Sequence, residues 1–209
     1  NGGGGIYFYG GTLTVNNSTF KNNSARDGGA IKADGGTLFV NNSEFIYNTA
    51  NSNNGGAISS GSSQIENSKF IGNTAYSSGG AIQATGGIIS GNIFVNNIVT
   101  RTIQDNNSGG GAIWIAVASS SSLNIEDCEF VNNQAYSDIG DDIYFYTLYN
   151  TSSVSIINSS FIGSSSPNEN SIYFWFNNGN SMDIDSSNFI FYENSVYNYD
   201  NSAFVDATN

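Results

Sequence analysis

Apolar and polar residues alternate over short stretches of the chain, and turn-forming residues separate one stretch from the next. In Thr12–Val15 and Thr37–Val40, for example, the second and fourth residues are aliphatic. A period of two over three to five residues is typical of short β-strands, whose successive side chains point to opposite faces. Gly, Asn and Ser, which favour turns over helix interiors, lie between these stretches. The pattern therefore predicts short strands and tight turns rather than helices.

Two motifs recur along the chain, and residues 26–50, 51–75 and 76–100 align as three blocks of 25 residues. The first motif is Gly-Gly-Ala-Ile, which begins at Gly28, Gly55, Gly79 and Gly110, with degenerate copies at Gly4–Ile6, Asp141–Ile143 and Asn170–Ile172. The second motif is Phe-x-x-Asn, which begins at Phe20, Phe45, Phe70, Phe94 and Phe130, with imperfect copies at Phe161 and Phe189. A fixed period near 25 residues is typical of solenoid folds.

Short strands at this period predict an all-β fold, a parallel β-helix of about seven coils that stack at intervals of about 4.8 Å. We expect regular coils over 1–100, coils with longer insertions over 101–196, and a tail or the start of a further coil over 197–209. The alternation predicts inward-pointing columns: an isoleucine column (Ile31, Ile58, Ile82, Ile113, Ile143 and Ile172), an aliphatic wall (Leu13, Val15, Leu38, Val40, Leu123 and Ile125) and the motif phenylalanines.

The turn residues have predicted roles of their own. The Gly pair of each GGAI motif forms a tight corner before a strand, where a Cβ atom would clash. The motif asparagines are expected to form a ladder, in which each amide bonds to the next coil. Cys128 lies in a column held mainly by serines, namely Ser18, Ser43, Ser68, Ser159 and Ser187. This position favours a buried, inert thiol over a nucleophile.

The alternation of GGAI with Phe-x-x-Asn resembles the polymorphic membrane protein repeat, which occurs in bacterial autotransporter passengers and in adhesin-like surface proteins of other microbes. The resemblance is strong over about residues 4–135 and weak over residues 136–196. It implies a right-handed parallel β-helix that is exported and displayed on a cell surface, with an adhesive or structural role. The right hand also agrees with the general chirality of parallel crossovers.

The charge distribution argues against two classes of partner. The formal net charge is −12, from five Lys and Arg, 17 Asp and Glu, and no His. All five cations lie at or before Arg101, and 13 acids follow it. Without a basic patch the chain is not expected to bind nucleic acid. No stretch of about 20 residues is apolar enough for direct membrane insertion, and a single Cys permits no internal disulfide.

Catalytic chemistry has little support in the sequence. The lack of His removes the commonest general base, and Arg26 and Arg101 lie about three coils apart. We therefore predict no enzyme activity, no catalytic residue and no cofactor. Two pairs of carboxylates are weak Ca²⁺ candidates, Asp141 with Asp142 and Asp183 with Asp185. Oxygen ligands suit Ca²⁺, and the alternative interpretation of both pairs is a solvated acidic surface.

Asn-x-Ser/Thr sequons are numerous. They occur at Asn16, Asn17, Asn22, Asn41, Asn106, Asn150 and Asn158. In a chain with 33 Asn and 44 Ser and Thr residues, chance alone accounts for about this many. The sequons are therefore possible N-glycosylation sites if the chain meets a glycosylating pathway. Asn106 and Asn150 lie in the longest insertions and are the most plausible acceptors.

One outward-pointing face is rich in aromatic residues. The residue after each inward Ile gives the column Tyr7, Lys32, Ser59, Gln83, Trp114, Tyr144 and Tyr173, and the next outward column begins with Tyr9 and ends with Tyr146 and Trp175. Exposed aromatic patches mark interfaces, and stacked rings on a rod also suit glycan binding. The alternative is that the insertions at 101–109, 116–122 and 146–155, or a neighbouring chain, cover these rings.

These observations predict an extracellular or cell-surface structural protein, a subunit or segment of a fibre or surface assembly. An open β-helix end exposes strand edges, so we expect self-association or continuation of the same chain. A cell-surface adhesin that binds a host or glycan ligand is the first alternative, and a polysaccharide-active enzyme is the second. Oligomeric state distinguishes the fibre from the adhesin.

Overall fold

The computed structural model describes residues 2–103, 105, 107–117, 122–137, 139–147, 153–163, 171–175, 181–185, 188–190, 196–198 and 204–208. All the regular structure in these residues is β-strand. In chain order the strands are β1 (Ile6–Tyr9), β2 (Thr12–Asn16), β3 (Thr19–Lys21), β4 (Ser24–Ala25), β5 (Ile31–Asp34), β6 (Thr37–Asn41), β7 (Glu44–Ile46), β8 (Thr49–Ala50), β9 (Ile58–Ser60), β10 (Ser62–Glu66), β11 (Lys69–Ile71), β12 (Thr74–Ala75), β13 (Ile82–Ala84), β14 (Gly86–Ser90), β15 (Ile93–Val95), β16 (Ile98–Val99), β17 (Ile113–Val117), β18 (Ser122–Glu126), β19 (Glu129–Val131), β20 (Gln134–Ala135), β21 (Ile143–Thr147), β22 (Ser153–Ile157), β23 (Ser160–Ile162), β24 (Ile172–Trp175), β25 (Ser181–Asp185), β26 (Asn188–Ile190), β27 (Val196–Asn198) and β28 (Phe204–Thr208).

The strands form four sheets that follow the axis of a solenoid. The first sheet contains β1, β5, β9, β13, β17, β21, β24 and β27; the second β2, β6, β10, β14, β18, β22, β25 and β28; the third β3, β7, β11, β15, β19, β23 and β26; the fourth β4, β8, β12, β16 and β20. Neighbouring strands are parallel and come from successive coils, as in the pairing of Ile31 with Ile58. The predicted parallel β-helix is therefore confirmed.

The Gly-Gly corner is required by the backbone at both of its positions. Gly55 has a φ of 67°, a left-handed conformation that residues with a Cβ adopt only at a cost. Gly56 has ordinary φ, but a Cβ atom there would overlap the carbonyl oxygen of Gly80 in the next coil. The first Gly thus turns the chain, and the second lets adjacent coils approach closely enough to pair.

The core is built from the three predicted columns. The motif isoleucines from Ile31 to Ile172 are fully buried. The phenylalanines stack in parallel, with ring centroids 5.0 Å apart for Phe20 and Phe45 and 4.8 Å apart for Phe130 and Phe161. This spacing equals the distance between strands, because each ring rests on the ring one coil away. The side-chain period of two therefore produces a continuous apolar interior.

Polar ladders run parallel to the core. Asn48 donates from its backbone N (3.0 Å) and from its Nδ2 (2.9 Å) to Oδ1 of Asn73. Asn73 makes the same pair of bonds to Asn97. Nδ2 also donates to the carbonyl oxygen of the motif phenylalanine one coil earlier, as from Asn73 to Phe45 at 2.9 Å. The predicted amide ladder is confirmed, and it satisfies buried backbone groups at each turn.

Candidate functional site

The outer face of the first sheet carries the predicted aromatic column. The strand register aligns Tyr7, Lys32, Ser59, Gln83, Trp114, Tyr144 and Tyr173 in successive coils. The neighbouring outward column aligns Tyr9 with Asp34 at one end and Tyr146 with Trp175 at the other. Sequence alternation alone therefore placed these residues correctly on one face.

The two ends of this face differ in exposure. Tyr7 and Tyr9 are 56% and 81% exposed, whereas Trp114 is 8% exposed and Tyr144 is fully buried. Trp114 and Tyr144 form a buried cluster with Ile139. Tyr146, Tyr173 and Trp175 are partly buried and pack against this cluster. Trp114 and Tyr144 are therefore covered, which is the alternative that the sequence left open, and they do not form an exposed platform.

The cover over Tyr144 comes from residues outside the strands. A Cβ on Gly109, at the end of the 101–109 insertion, would lie 2.8 Å from the Tyr144 ring. The Tyr144 ring meets Tyr173 edge to face at 5.6 Å. Burial raises the pKa of the Tyr144 phenol, with smaller contributions from Tyr173, Tyr146 and Asp105. The Tyr144 hydroxyl has no hydrogen-bond partner in the described part of the chain.

An open hollow lies beside the exposed tyrosines, with a volume of about 530 Å³. It is lined by Gly2, Tyr7, Arg26, Asp27, Lys32 and Asp34. Lys32 Nζ lies 3.3 Å from an Asp34 carboxylate oxygen, and the Tyr7 hydroxyl donates to the other oxygen at 3.2 Å. Arg26 is exposed. The hollow thus combines two cations, two carboxylates and an aromatic ring, which are groups that bind polar and carboxylated sugars.

A shallower polar groove of about 280 Å³ follows the corner between the second and third sheets. Asn17, Asn42 and Asn67 stand above one another there, each in the left-handed conformation. Lys69 and Glu44 lie beside them, 3.8 Å apart and about half exposed. The groove offers amide and hydroxyl groups, without an aromatic ring among its lining residues.

Asp141 and Asp142 are buried, at 5% and 2% exposure. Asp142 Oδ1 accepts a bond from Asn133 Nδ2 at 2.9 Å, and Asp141 Oδ1 accepts from the backbone N of Ala135 at 2.8 Å. Ala135 belongs to β20, the last strand of the fourth sheet among the described residues. The Asp142 carboxylate therefore accepts a hydrogen bond from the last asparagine of the ladder. The Asp141 carboxylate accepts one from the last described strand of the fourth sheet.

This geometry corrects the solvated-surface interpretation for the Asp141–Asp142 pair. Burial raises the pKa of Asp142 to about 7, while bonds from Asn133 and Ser171 act in the opposite direction. The described residues contain no cluster of three or more His, Cys, Asp or Glu side chains that could hold a metal. Asp183 and Asp185 lie two positions apart on β25, and their side chains are outside the described part of the chain.

Comparison with known families identifies the repeat. The family model of the Chlamydia polymorphic membrane protein repeat matches residues 17–34 and 67–85. Each match contains one Phe-x-x-Asn motif followed by one GGAI motif. The chain contains two copies of the polymorphic membrane protein repeat. No curated protein and no solved structure is significantly similar to it.

The two matched polymorphic membrane protein repeats occupy equivalent places in the solenoid. Residues 17–34 run from β3 to β5, and residues 67–85 run from β11 to β13, two coils further along. The repeat takes its name from the polymorphic membrane proteins of Chlamydia. None of the described residues forms a helix with the length and hydropathy needed to cross a membrane.

Five of the sequon asparagines lie in the described residues, at or next to turns. Exposed side chains are found at Asn16, Asn17, Asn22, Asn41 and Asn158. Asn106 and Asn150, the two most plausible acceptors, lie outside the described residues. Exposure makes the five others accessible in the folded chain, and their glycosylation stays a prediction.

Cys128 lies inside the repeat structure. It is 2% exposed, and its backbone N donates to the Ser159 hydroxyl at 3.2 Å, in line with the serine column. Burial raises the pKa of the thiol to about 12. A thiol that stays protonated at neutral pH is a poor nucleophile, so the structure supports the inert role expected from the sequence.

Sequence reasoning missed the hollow beside Tyr7. A signal for it was present, since residues 26–34 contain two of the five cations of the chain and two acids. It also missed that Asp142 ends the Asn ladder. Ser164 gave a clue, because the Phe161 copy of Phe-x-x-Asn has this serine in place of its asparagine.

Proposed function

We propose that the chain is a rigid structural segment of an extracellular surface fibre or assembly. The observation that carries this proposal is the unbroken axial stacking of the core. Five successive phenylalanine pairs stack at 4.8 to 5.0 Å, and the Asn ladder accompanies the first four of these steps. Because every coil contacts only its neighbours, coils can be added along the axis without changing existing contacts.

The face of the first coil supports axial addition. Strands β1 to β4 are each the outermost strand of their sheet. Leu13 and Phe20 on this face are partly exposed, whereas the equivalent Leu38 and Phe45 one coil further are buried. A strand edge with free backbone groups and an apolar rim favours pairing with another strand. The occupant we propose is a further coil of the same kind, from the same polypeptide or from another copy.

Electron microscopy of native material, purified without denaturant, tests this proposal. We expect filaments or elongated assemblies whose axial repeat matches a whole number of coils of about 4.8 Å. Leu13→Glu places a charge on the open apolar face and should shorten or abolish them. Thr14→Glu is the matched control, because Thr14 is exposed on the outer face of the same strand. Wild-type material that consists only of isolated short rods at all concentrations would contradict the fibre.

An adhesin is the second candidate, and the hollow beside Tyr7 and Tyr9 favours it. The exposed Tyr7 ring next to Arg26 and Lys32 forms a site suited to a carboxylated glycan. A glycan array should then show binding that falls at least about tenfold with Tyr7→Ala or Arg26→Ala. Tyr76→Ala is the control, since Tyr76 is also about half exposed but does not line the hollow. Equal loss in all three variants would argue against the hollow.

A further inference from the structure

The outer face of the third sheet carries a continuous aliphatic stripe. Before Ile190, whose side chain lies outside the described part of the chain, the strand register stacks five β-branched residues from successive coils at the second outward position. They are Ile46, Ile71, Val95, Val131 and Ile162. All five are partly exposed. The stripe spans about 19 Å, given coils about 4.8 Å apart.

A comparable column on the second sheet is mixed in character. Its outward residues from the same levels are Phe39, Gln64, Ile88, Asn124 and Ser155. Apolar residues that are scattered singly among polar ones are ordinary on a protein surface. Five aliphatic residues in succession on the third sheet are therefore a distinct feature, and an apolar line of this kind marks an interaction surface.

The column beside the stripe carries a specific charge pattern. About 7 Å along the strands, the first outward positions are Glu44, Lys69, Ile93, Glu129 and Ser160. Lys69 and Glu129 stand on either side of Ile93, one coil away in each direction. The Lys69 side chain is 53% exposed, and its one ion pair within the described residues is the 3.8 Å contact with Glu44.

We propose that a second copy of the chain docks on this stripe with its axis antiparallel. A two-fold axis that lies in the interface, along the strands at the level of Val95, brings each stripe onto the other. Ile71 then faces Val131 of the second copy, and Val95 faces its own equivalent. The same operation places Lys69 opposite Glu129 of the second copy, and Ile93 opposite Ile93. The surface is thus self-complementary, because aliphatic residues face aliphatic residues and opposite charges face each other, as a two-fold interface requires.

A parallel arrangement does not give this match. A two-fold axis along the solenoid, between the two columns, sets Lys69 and Glu129 against the aliphatic Ile71 and Val131 of the second copy. Desolvating unpaired charges in this way is unfavourable. If the axis instead follows the stripe, the stripes meet but the charged columns lie on opposite sides. Only the antiparallel dimer combines apolar contact with charge pairing.

The contact is small, and it is lateral rather than axial. A stripe of this length with one flanking column lies well below the roughly 800 Å² per partner of a stable interface. We therefore expect reversible association that strengthens with concentration, as on a crowded surface. The lateral dimer uses the third sheet and not the open first coil, so it can be tested independently of the fibre proposed above.

Sedimentation of the whole chain over a concentration series tests the dimer, with Leu13→Glu included in all variants to remove axial assembly. The parent should shift reversibly from monomer to dimer. Val95→Lys places two lysines opposite each other and should abolish the dimer. Lys69→Glu or Glu129→Lys alone should weaken association at least about tenfold through like-charge pairs. The double variant Lys69→Glu/Glu129→Lys should restore it, because the pair is reformed with exchanged signs.

Matched controls separate this interface from general surface effects. Glu66→Lys makes the same change of charge on the second sheet, away from the stripe and its flanking column, so association should persist. Ile88→Lys removes an exposed aliphatic residue from the second sheet and should also have no effect. Circular dichroism and thermal melting confirm that each variant is folded. A parent that stays monomeric at every concentration, a Val95→Lys protein that still dimerises, or a double variant without restored association would overturn the proposal.

Discussion

Asn73 offers the most direct test of the amide ladder. Its side chain is fully buried and makes four hydrogen bonds. It accepts from N and Nδ2 of Asn48 at 3.0 and 2.9 Å, and it donates to the carbonyl of Phe45 at 2.9 Å and to Oδ1 of Asn97 at 3.0 Å. Asn73→Ala removes all four bonds and leaves the partner groups buried, where water does not replace the lost contacts.

The size of the effect follows from these bonds. A net contribution of about 0.5–1.5 kcal/mol for each of the four hydrogen bonds gives an expected loss of about 2–6 kcal/mol in the free energy of unfolding. Asn51→Ala is the control, because Asn51 is exposed and makes one side-chain bond, to Ser24 at 2.7 Å. That substitution should change stability by about 0.5 kcal/mol or less. Urea denaturation followed by circular dichroism measures both.

Asn73→Asp sharpens the test. The carboxylate keeps the acceptor for Asn48 but loses both donors and faces the Phe45 carbonyl, so its pKa should be raised above the usual range for Asp. The folded state then binds more protons than the unfolded state, and stability should fall as pH rises from about 4 through the folded pKa. If Asn73→Ala is no more destabilising than Asn51→Ala, the ladder does not stabilise the coils as argued.

Three further outcomes are expected. The pKa of Asp142 in the folded state, raised to about 7, lies above its unfolded value, so the stability that this group contributes should be lost as pH rises from about 4 to 7. Asp142→Asn should therefore be more stable than the parent at pH 8 by about 1–3 kcal/mol, and an unchanged pH profile of unfolding would contradict this. Cys128, buried with a pKa of about 12, should react with a thiol reagent in native protein at least about a hundredfold more slowly than in urea-unfolded protein, and fast native labelling would disprove its burial. Gly56→Ala should destabilise the fold by more than about 1 kcal/mol in thermal melts, because its Cβ overlaps Gly80. Gly61→Ala should not, because its Cβ would meet nothing closer than Thr85 Oγ1 at 3.9 Å, and equal melting temperatures of the two variants would refute the close approach.

The fold could be predicted because a repeat fixes its own register. Once GGAI at Gly55 is aligned with GGAI at Gly79, every residue between them has an equivalent one coil away. Alternation then decides which side chains point inward, and Phe45, Phe70 and Ile58 are buried as expected. No long-range pairing has to be guessed, since the next coil always supplies the partner.

The candidate site could be predicted only in part, because insertions do not follow the repeat. Alternation put Trp114 and Tyr144 on the outer face, but the path of the 101–109 insertion decides that Tyr144 is covered. The acids at Asp141 and Asp142 were recognisable as replacements in a GGAI corner. Their burial depends on the hydrogen-bond donors of the Asn ladder and the fourth sheet that they meet there, and composition does not reveal these donors.

The direction of the Asn ladder gives the solenoid an electrical polarity. Each amide accepts at Oδ1 from the coil before it and donates from Nδ2 to the coil after it, from Asn23 through Asn133. The aligned amide dipoles add, with their positive ends toward the later coils, as peptide dipoles add in a helix. The series ends inside the solenoid, on the carboxyl group of Asp142, which accepts from Asn133 Nδ2. Its negative end lies at Asn23 in the first coil, so a coil placed there in reverse would meet a dipole of the wrong sign.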